Sequence, residues 1–429
     1  FPGEEDAKII LIDKNNFLLF TPMLIEVMSN QIDMMDIVTP ARQLSHRITF
    51  EEGQIETINL QTKEIKIRTG GLGCDAPSVE RIIKADHIVI ALGSRPNYRG
   101  IPGLAENSFT MNNLCDAVLV RNRTLALLER ANAEPDIEEK KALLTFVIGG
   151  GGFSGVETAA ALHDSIIEAS QYYPNVEESY ISVIIVEALD RLLPELSERL
   201  AEYARLKLLK SKIEVCLCTK IAIVTPNMVQ LDNGRKINTR TVIWTGGVSP
   251  NIADKSLECH CNEKGCIAVN SYMQVPDHDG VWAIGDCASI PMKNGNGFYA
   301  PTAQNATREG KAVAKNIHSS IYGCKMKEFD FKPLGGLAAL GKRSGVASIM
   351  GIHLSGLPAW FLWRAVYLMK LPKLSQKVRV GIDWMVDLIF GREIVQMPAD
   401  CFMAGICGIT DQDDAPPETL TNNSGTCDV

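Results

Sequence analysis

The sequence predicts an α/β fold in which parallel strands alternate with helices in two successive units. Uniformly apolar runs at 88–93 and 144–148 are typical of central parallel strands that are covered on both faces. Between them, the segment 114–141 carries Leu, Ala, Arg and Glu at helical spacing. A glycine-rich turn follows the second run. The 429 residues leave room for roughly two or three domains.

The composition is that of an ordinary globular protein. A net charge of −8 argues against nucleic acid as a partner, because a phosphate backbone selects for concentrated Lys and Arg. The 12 cysteines are too dilute to indicate a secreted disulfide framework. Because the cysteines at 216–218 and at 259–266 lack the spacing of zinc sites, we expect no metal.

The first strands can be placed in order along the chain. Residues 9–12 indicate a buried strand that ends in an acid, Asp13. The segment 54–67 alternates polar and apolar residues and is broken at 59–63, which is typical of a strand pair. The apolar run at 88–93 then ends at Gly93.

A complete strand–turn–helix–strand unit begins at 144. Its strand is 144–148, its turn 149–155, its helix 156–169 and its second strand 180–186, which ends at Glu187. Further along, Asp232-Asn233-Gly234 predicts a hairpin turn. Two more strands are predicted at 241–244 and 281–284, each running into a short turn; these turns are Thr245-Gly246-Gly247 and Gly285-Asp286.

The turn at 149–155 contains the pattern GxGxxG as Gly150, Gly152 and Gly155. In a Rossmann-like unit the first glycine makes a tight turn, the second admits a pyrophosphate and the third lets the helix pack against the strand. Glu187 at the end of the next strand would bind the ribose hydroxyls and repel a 2′-phosphate, which favours NADH over NADPH. The alternative is a glycine turn that binds no ligand.

Glu157 lies one turn inside the predicted helix, close to where a nicotinamide would end. We predict that it is a catalytic residue that helps proton movement. The alternative is a solvated carboxylate that only complements the helix dipole.

Three further motifs resemble those of the two-dinucleotide flavoprotein oxidoreductases: ALGSRPN at 91–97, TGGVSPN at 245–251 and WAIGDCA at 282–288. With DKNNFLLFTPML at 13–24, GGGFSGVETA at 150–159 and LGGLAALGKRSGVA at 334–347, the chain resembles the type II NADH dehydrogenases. The resemblance extends from about residue 9 to about residue 396.

The resemblance implies two Rossmann-like domains, with the NADH domain inserted into a discontinuous FAD domain. It assigns Asp13 to the FAD ribose and Asp286 to the ribityl and pyrophosphate region. Gln304 falls in the quinone-site motif AQxAxQ, whose second Gln is Arg308 here. The cofactor-binding residues expected for FAD and NADH are Asp13, Gly93, Gly150, Gly152, Gly155, Glu187, Gly247, Gly285, Asp286 and Ala303; Glu157 and Gln304 are the expected catalytic residues.

The family pattern also sets the expected domain limits. We expect the FAD domain at 1–115 and 256–345, the NADH domain at 116–255, a membrane-associating region at 346–399 and a flexible acidic tail at 400–429. The family's first strand and first GxGxxG do not precede residue 9, so we expect an N-terminally incomplete chain that binds FAD poorly as given.

The segment 355–396 combines aromatic and basic residues, including three of the five Trp. Such composition is typical of amphipathic helices in the membrane interface. Two alternatives are a dimer-interface helix pair in a soluble protein and a membrane span at 344–363, which carries no formal charge.

The predicted function is a non-proton-pumping NADH:quinone oxidoreductase that uses FAD. We expect a peripheral membrane protein on the cytoplasmic face of the inner or plasma membrane, with a homodimer as a further expectation. One alternative is an enzyme similar to the sulfide:quinone oxidoreductases, for which Cys287 beside Asp286 is of interest. The other is a flavin-less NAD-binding or interaction module.

Overall fold

The computed structural model describes residues 7–70, 78–252, 257–293, 295, 297–390 and 395–396. The chain divides into two compact units, each assembled from three separate segments. The first comprises 1–18, 39–97 and 248–334; the second comprises 19–38, 98–247 and 335–429. The domain limits expected from the sequence remain predictions, and each unit is described by itself.

The helices and strands are numbered in chain order. The strands are β1 Ile9–Asp13, β2 Phe17–Leu19, β3 Val38–Pro40, β4 Ile48–Glu52, β5 Gln54–Asn59, β6 Glu64–Thr69, β7 Val79–Lys84, β8 Ile88–Ile90, β9 Ser94–Pro96, β10 Thr145–Gly149, β11 Ser182–Val186, β12 Glu214–Cys216, β13 Ile221–Thr225, β14 Met228–Leu231, β15 Lys236–Asn238, β16 Thr241–Trp244, β17 Val248–Pro250, β18 Ile267–Ala268, β19 Val281–Ala283, β20 Ala288–Ser289, β21 Gly335–Ala339, β22 Gly345–Ile349 and β23 Ile352–Gly356. The α-helices are α1 Leu24–Met28, α2 Leu104–Asn107, α3 Leu114–Ala133, α4 Ile137–Leu143, α5 Phe153–Ser170, α6 Glu198–Lys210, α7 Ala303–Ile321, α8 Leu357–Lys370 and α9 Leu374–Phe390.

The second unit is organised around a four-stranded parallel sheet in the order β12-β11-β10-β16. All five residues of the central strand β10 are buried, as its uninterrupted apolar sequence predicts. The glycine turn leads directly into α5, which begins at Phe153, three residues earlier than predicted. This parallel arrangement brings the carboxyl ends of β10, β11 and β16 to one edge of the sheet.

Helix α3 ends earlier than the spacing of its residues suggested. A single helix at 114–141 was the prediction, and it is wrong, because the chain forms α3 and α4 separated by an extended connection that contains Pro135. Proline disfavours helical backbone in the residue before it, which is Glu134 here. Glu134 is extended, with ψ near 122°.

The antiparallel elements match their turn signals. β13, β14 and β15 form a three-stranded meander, and Gly234 in the β14–β15 turn has a φ of +85°. The left-handed backbone that this turn requires is the reason for a glycine there. In the first unit, β5, β6 and β7 form a second meander, so the predicted break at 59–63 is confirmed.

The remaining strands of the first unit form short pairs, of which β9 with β17 is antiparallel and the others are parallel. β1 pairs with β4, and β8 pairs with β19. The predicted strands at 9–12, 88–93 and 281–284 are therefore confirmed as parallel strands, although β8 ends at Ile90. The expected burial is wrong for two of them: β8 is not covered on both faces, because Val89 is 39% exposed, and no residue of β1 is fully buried. Helix α7 follows the turn after β19 and contributes Val313 to a buried core around Trp282.

The C-terminal region begins as an antiparallel sheet, β21-β22-β23, and continues into α8 and α9. The alternative of a membrane span at 344–363 is wrong, because these residues form two strands and the first half of α8. Among the helices that the structure describes, none has both the length and the apolar character needed to cross a bilayer. The acidic tail predicted at 400–429 lies outside the described residues.

The three Trp of this region are buried. Trp360, Trp363 and Trp384 are between 3% and 6% exposed, so the expectation that aromatic side chains face a membrane is wrong for them. The exposed apolar side chains of α9 are mostly aliphatic and include Leu374, Ile382 and Ile389 at 76%, 53% and 71% exposure; the exception is Phe390 at the end of the helix, which is 81% exposed.

Helix α9 rests partly on a buried acid, Asp36. The Asp36 carboxyl faces Asp383 of α9, and Arg379 Nη1 lies 3.8 Å from Asp36 Oδ1. Burial, reinforced by the Asp383 carboxyl, raises the pKa of Asp36 to about 6. The folded protein therefore binds more protons than the unfolded chain between pH 4 and 6, and the free energy of unfolding falls as the pH rises through that range.

We expect Asp36→Asn to remove the contribution of Asp36, and so to make the fall in stability between pH 4.5 and pH 7 smaller, and to raise the free energy of unfolding at pH 7 by about 1–2 kcal/mol. The measurement is chemical denaturation of wild type and variant at pH 4.5 and pH 7. Asp190→Asn, at an exposed position, is the matched control and should leave the slope intact. A wild-type protein whose stability does not change between the two pH values would contradict the prediction.

Candidate active site

The glycine turn between β10 and α5 has the geometry that its sequence predicts. Gly150 has a φ of +112°, and a Cβ at Gly155 would lie 1.9 Å from the carbonyl oxygen of Gly150. Any larger residue at either position would therefore strain the turn or push α5 away. A Cβ at Gly152 would meet nothing within 4 Å, so the space above this residue is open to a ligand.

Glu187 is held beside this turn. Its carboxylate accepts hydrogen bonds from the backbone N–H of Gly151 and, at 2.8 Å, from that of Leu189. Two backbone donors fix the side chain at the carboxyl end of β11, next to the glycine loop. This is where an acid can contact the ribose of a bound dinucleotide.

The turn after β16, Thr245-Gly246-Gly247, packs against the glycine loop at the same edge of the parallel sheet. Thr245 Oγ1 donates to the carbonyl oxygen of Gly149 at 3.0 Å, and a Cβ at Gly150 would lie 2.9 Å from the Cα of Gly246. The structure therefore brings together five of the predicted residues at one sheet edge: Gly150, Gly152, Gly155, Glu187 and Gly247. The open space at Gly152 and the fixed acid fit the phosphates and ribose of NADH.

Arg99 is a residue at this edge that sequence reasoning missed. Its Nε donates to the carbonyl oxygen of Gly246 at 3.0 Å, and a Cβ at Gly247 would lie 2.9 Å from its Nη2. The guanidinium thus contacts both glycines of the turn after β16. No local pattern reveals this position, because 147 residues separate Arg99 from Gly246.

Glu157 is buried in the second turn of α5, so the alternative of a solvated carboxylate is wrong. Its Oε1 accepts hydrogen bonds from Ala339 N and Trp363 Nε1, both at 2.8 Å. Burial, with a smaller contribution from the nearby Glu26, raises the pKa of Glu157 to about 8. The carboxyl group therefore holds a proton at neutral pH in the folded protein.

Glu157 lines a cavity of about 330 Å³ within the second unit. Glu26, which is also buried, accepts a hydrogen bond from Trp384 Nε1 at 3.3 Å. The Arg364 guanidinium lies over the rings of Trp360 and Trp384, at 4.0 and 4.6 Å from their centroids. Helices α1, α5, α8 and α9 thus place two acids and a stacked cation around one cavity, and the sequence indicated only Glu157.

The first unit holds the acids assigned to FAD. Asp13 ends β1 and accepts a hydrogen bond from Asn15 N at 2.8 Å. Asp286 follows Gly285, whose φ is +71°, and accepts a hydrogen bond from Ser94 Oγ at 2.8 Å. Both acids thus follow the ends of parallel strands, where α/β sheets bind their ligands.

Helix α7 supports the turn at Gly285 through a residue that was not predicted. Glu309 is buried, and its Oε2 accepts a hydrogen bond from Gly285 N at 2.7 Å. Burial raises the pKa of this carboxyl. The available signal was its helical spacing from Asn305 and Val313, which places it on the buried face of α7.

The residues at the start of α7 are fixed by caps. The Thr302 side chain accepts a hydrogen bond from Asn305 N, which positions Ala303 in the first turn. Gln304 Oε1 accepts from Leu334 N at 2.9 Å. Arg308, in place of the family's second Gln, is stacked on the Phe331 ring at 3.9 Å and donates to the Gln304 carbonyl oxygen.

The residues of the first unit that were assigned to FAD lie in several different turns. Gly93 has a φ of +70°, and its carbonyl oxygen accepts from Asn251 N at 2.9 Å. Together with Asp13, Gly285, Asp286 and Ala303, it offers acids, a helix N-terminus and glycine turns, which fit the ribose and phosphates of a flavin dinucleotide.

Cys287, the cysteine beside Asp286, carries little reactive chemistry. Cys287 is fully buried, its Sγ donates to the Ile284 carbonyl oxygen, and burial raises its pKa to about 11. A thiol in such surroundings is a poor nucleophile. Over the ranges that the structure describes, no three His, Cys, Asp or Glu side chains are grouped so as to hold a metal ion.

Comparisons with known families agree with the motifs. Residues 2–310 match the pyridine nucleotide-disulphide oxidoreductase family, and residues 334–393 match the NDH2 C-terminal domain. The first match includes the glycine turns at 149–155, 245–247 and 285–286, and the second includes α8 and α9.

Known relatives match over most of their length. A probable NADH dehydrogenase of Dictyostelium discoideum is 31% identical over 395 residues, which is 90% of this chain and 85% of the relative. A type II NADH:quinone oxidoreductase of Haemophilus influenzae is 28% identical, over 90% of this chain and 91% of the relative.

A solved structure shares the fold. The NDH2 of Plasmodium falciparum, in complex with NADH, superposes with a TM-score of 0.83 at 19% identity, covering 91% of this chain and 95% of that protein. The resemblance predicted from the motifs is confirmed. The chain belongs to the pyridine nucleotide-disulphide oxidoreductase family and, within it, to the type II NADH dehydrogenases.

Proposed function

We propose that the protein oxidises NADH and passes two electrons to a membrane quinone without pumping protons. The observation that carries this proposal is the joint match to the oxidoreductase family and to the NDH2 C-terminal domain over nearly the whole chain. The alternative of a sulfide:quinone oxidoreductase is not favoured, because Cys287 is buried and protonated.

NADH is the nucleotide that the sheet edge of the second unit fits. Gly152 leaves room for the pyrophosphate at the start of α5, and the backbone N–H groups there favour an anion. Glu187 faces the ribose as a carboxylate held by two backbone donors. A 2′-phosphate would meet this negative charge, so NADPH is disfavoured.

FAD is the second cofactor that membership of the family implies, and when bound it supplies the hydride acceptor and the two-electron donor for the quinone. Asp13 would hold its ribose, and the turn of Gly285 and Asp286, braced by Glu309, would face its ribityl and pyrophosphate region. We assign Gln304, at the start of α7, to the quinone, as the motif resemblance implies.

Glu157 would hold a proton that quinone reduction consumes. Its Oε1 accepts two hydrogen bonds, so the proton is held on Oε2. A carboxyl group with a pKa of about 8 can both give up and regain this proton near neutral pH. Glu157 also lines a cavity through which water or substrate could reach it.

We propose that α9 lies on the membrane surface, with one apolar face of the helix in contact with lipid. The exposed residues recur at helical spacing along one side of the helix, while Val380 and Trp384 pack into the second unit on the other side. Leu374, Val378, Ile382, Met385 and Ile389 form this face, which we name the α9 apolar face.

Water disfavours a continuous exposed apolar stripe, and lipid removes that cost. Lys370, Lys373 and Lys377 lie close to the stripe in sequence and can attract anionic lipid. The membrane would be the inner or plasma membrane, approached from its cytoplasmic face, and a homodimer would use part of the same surface.

The function can be tested by following the flavin absorbance of the full-length protein reconstituted with FAD under anaerobic conditions. We expect NADH to bleach the flavin and a soluble quinone to restore it. NADPH should bleach it at least about tenfold more slowly because of the charge of Glu187. A yellow protein that does not respond to NADH would contradict the proposal.

Glu157→Gln tests the proton role of this carboxyl group. Gln keeps an oxygen that can accept both hydrogen bonds but cannot carry the proton, so we expect reoxidation by quinone to slow at least about fivefold while bleaching by NADH is unchanged. Glu138→Gln, at an exposed position, is the matched control. Unchanged reoxidation in the Glu157 variant would exclude the proton role.

The same variant should also change the pH dependence of stability. The pKa of Glu157 is raised from 4.5 to about 8 in the folded protein, so wild-type stability falls as the pH rises from about 4.5 to about 8. Glu157→Gln should be more stable than wild type by about 1–3 kcal/mol at pH 8.5, and the difference should vanish near pH 4.5. Denaturant titration at both pH values measures this difference.

Membrane attachment can be tested with the triple variant Val378→Ser, Ile382→Ser and Met385→Ser. We expect its partition onto phosphatidylglycerol vesicles to fall at least about tenfold, because three side chains no longer enter the interface. The matched control is Val79→Ser, Ile82→Ser and Leu206→Ser, which removes three exposed apolar residues elsewhere. Equal vesicle binding by both variants would show that the α9 apolar face is not the membrane surface.

A further inference from the structure

A groove in the first unit is lined by none of the residues assigned above to NADH, FAD or quinone, and it is joined to them through Arg308, which donates a hydrogen bond to the Gln304 carbonyl oxygen. It runs between the C-terminal half of α7 and the segment 324–331, and it encloses about 710 Å³. This volume is in the range of pockets that bind small molecules. We name it the lysine groove after Lys311, Lys315, Lys325 and Lys327, which line it.

The four lysines converge on the groove from two elements. Lys311 and Lys315 are one helical turn apart, so they share a face of α7. Lys325 and Lys327 lie two residues apart on the facing segment 324–331, and both line the groove. Within the described part of the chain none of the four side chains makes an ion pair or a hydrogen bond. In a chain of net charge −8, four cations that form no ion pair in one concave site are a marked departure from the average.

The two acids at the groove are directed to other partners. Glu328 Oε1 accepts a hydrogen bond from Ser271 Oγ at 3.3 Å. Asp330 Oδ2 lies 3.7 Å from the ammonium of Lys293. Neither acid forms an ion pair with a groove lysine, and the four lysines and Arg308 outnumber the two acids, so the groove keeps an excess of positive charge. A bound anion would reduce the repulsion between these cations.

The groove is also held open by fixed contacts. The Asn316 side chain donates to the Lys327 carbonyl oxygen and accepts from Lys327 N, both at 2.9 Å, which clamps the segment to α7. Two aromatic residues line the groove: Phe329 is buried and stacks edge-on with Tyr299, and Phe331 lies under the Arg308 guanidinium. A site with rigid walls loses little entropy when a ligand binds.

We propose that the lysine groove binds a soluble anion of nucleotide size that carries several phosphate groups, of the class of nucleoside polyphosphates. Unpaired lysines supply point charges for the phosphates. The aromatic residues supply an apolar surface for a base. The groove is concave, whereas a membrane is contacted by exposed convex surfaces, so the shape favours a small ligand over lipid. The proposal does not depend on the redox function.

The test measures binding of inorganic tripolyphosphate and of ATP to the full-length protein by calorimetry at low salt. The groove variant carries Lys→Gln at 311, 315, 325 and 327. The control variant carries Lys→Gln at the exposed positions 210, 220, 236 and 264, so both variants change the net charge by the same amount. Because the glycine loop at 149–155 is unchanged in both variants, phosphate binding there cannot produce a difference between them.

We expect the groove variant to bind tripolyphosphate at least about tenfold more weakly than wild type, and the control variant to stay within about twofold. ATP should bind wild type at least as tightly as tripolyphosphate does. The double variant Lys311→Gln and Lys315→Gln, which alters only α7, should lose about threefold or more and provides the same test if the fourfold variant does not fold.

Other results would overturn the proposal. Equal affinity of the groove and control variants for tripolyphosphate would show that the four lysines do not form a phosphate site. Loss of binding to phosphatidylglycerol vesicles by the groove variant, with tripolyphosphate binding unchanged, would identify a membrane contact instead of a site for a soluble ligand. Absence of tripolyphosphate binding to wild type would equally exclude the site.

Discussion

The second unit depends on one buried carboxyl group, that of Glu157. A carboxyl group away from water is stable only when it is hydrogen-bonded and, with no cation paired to it, protonated. Ala339 N and Trp363 Nε1 supply the hydrogen bonds from β21 and α8, 182 and 206 residues along the chain. The helix that begins at the glycine loop is thereby fixed to the C-terminal region, and the group that fixes it is also the one whose proton is available for chemistry.

Buried Trp–acid pairs explain why Trp363 and Trp384 point inward. Trp363 donates to Glu157, and Trp384 donates to Glu26, so each indole N–H finds an acceptor inside the unit. Arg364 between Trp360 and Trp384 adds a stacked cation. The outer face of α9 is left to apolar side chains, most of them flexible, which adapt to a disordered apolar medium without requiring a hydrogen-bond partner.

Sequence patterns correctly predicted those elements whose conformation depends on neighbouring residues in the chain. The glycine turn at 149–155, the buried strand before it and the acid after β11 could be placed from the sequence because turn, strand and helix each have a short-range signal. The break in the helix after α3 was missed although Pro135 marks it. Contacts such as Arg99 with Gly246, or Glu309 with Gly285, depend on which distant segments meet, and no spacing rule encodes that.

The aliphatic side of α9 has a consequence for how the protein is made. A newly synthesised copy carries this surface as soon as α9 folds, before any lipid covers it. Until then the nearest apolar surface belongs to another nascent copy, and such contacts lead to aggregation when synthesis is fast. Under the proposed membrane attachment, the amount of protein that stays unaggregated therefore depends on the membrane area available to cover this face, in addition to the stability of the two compact units.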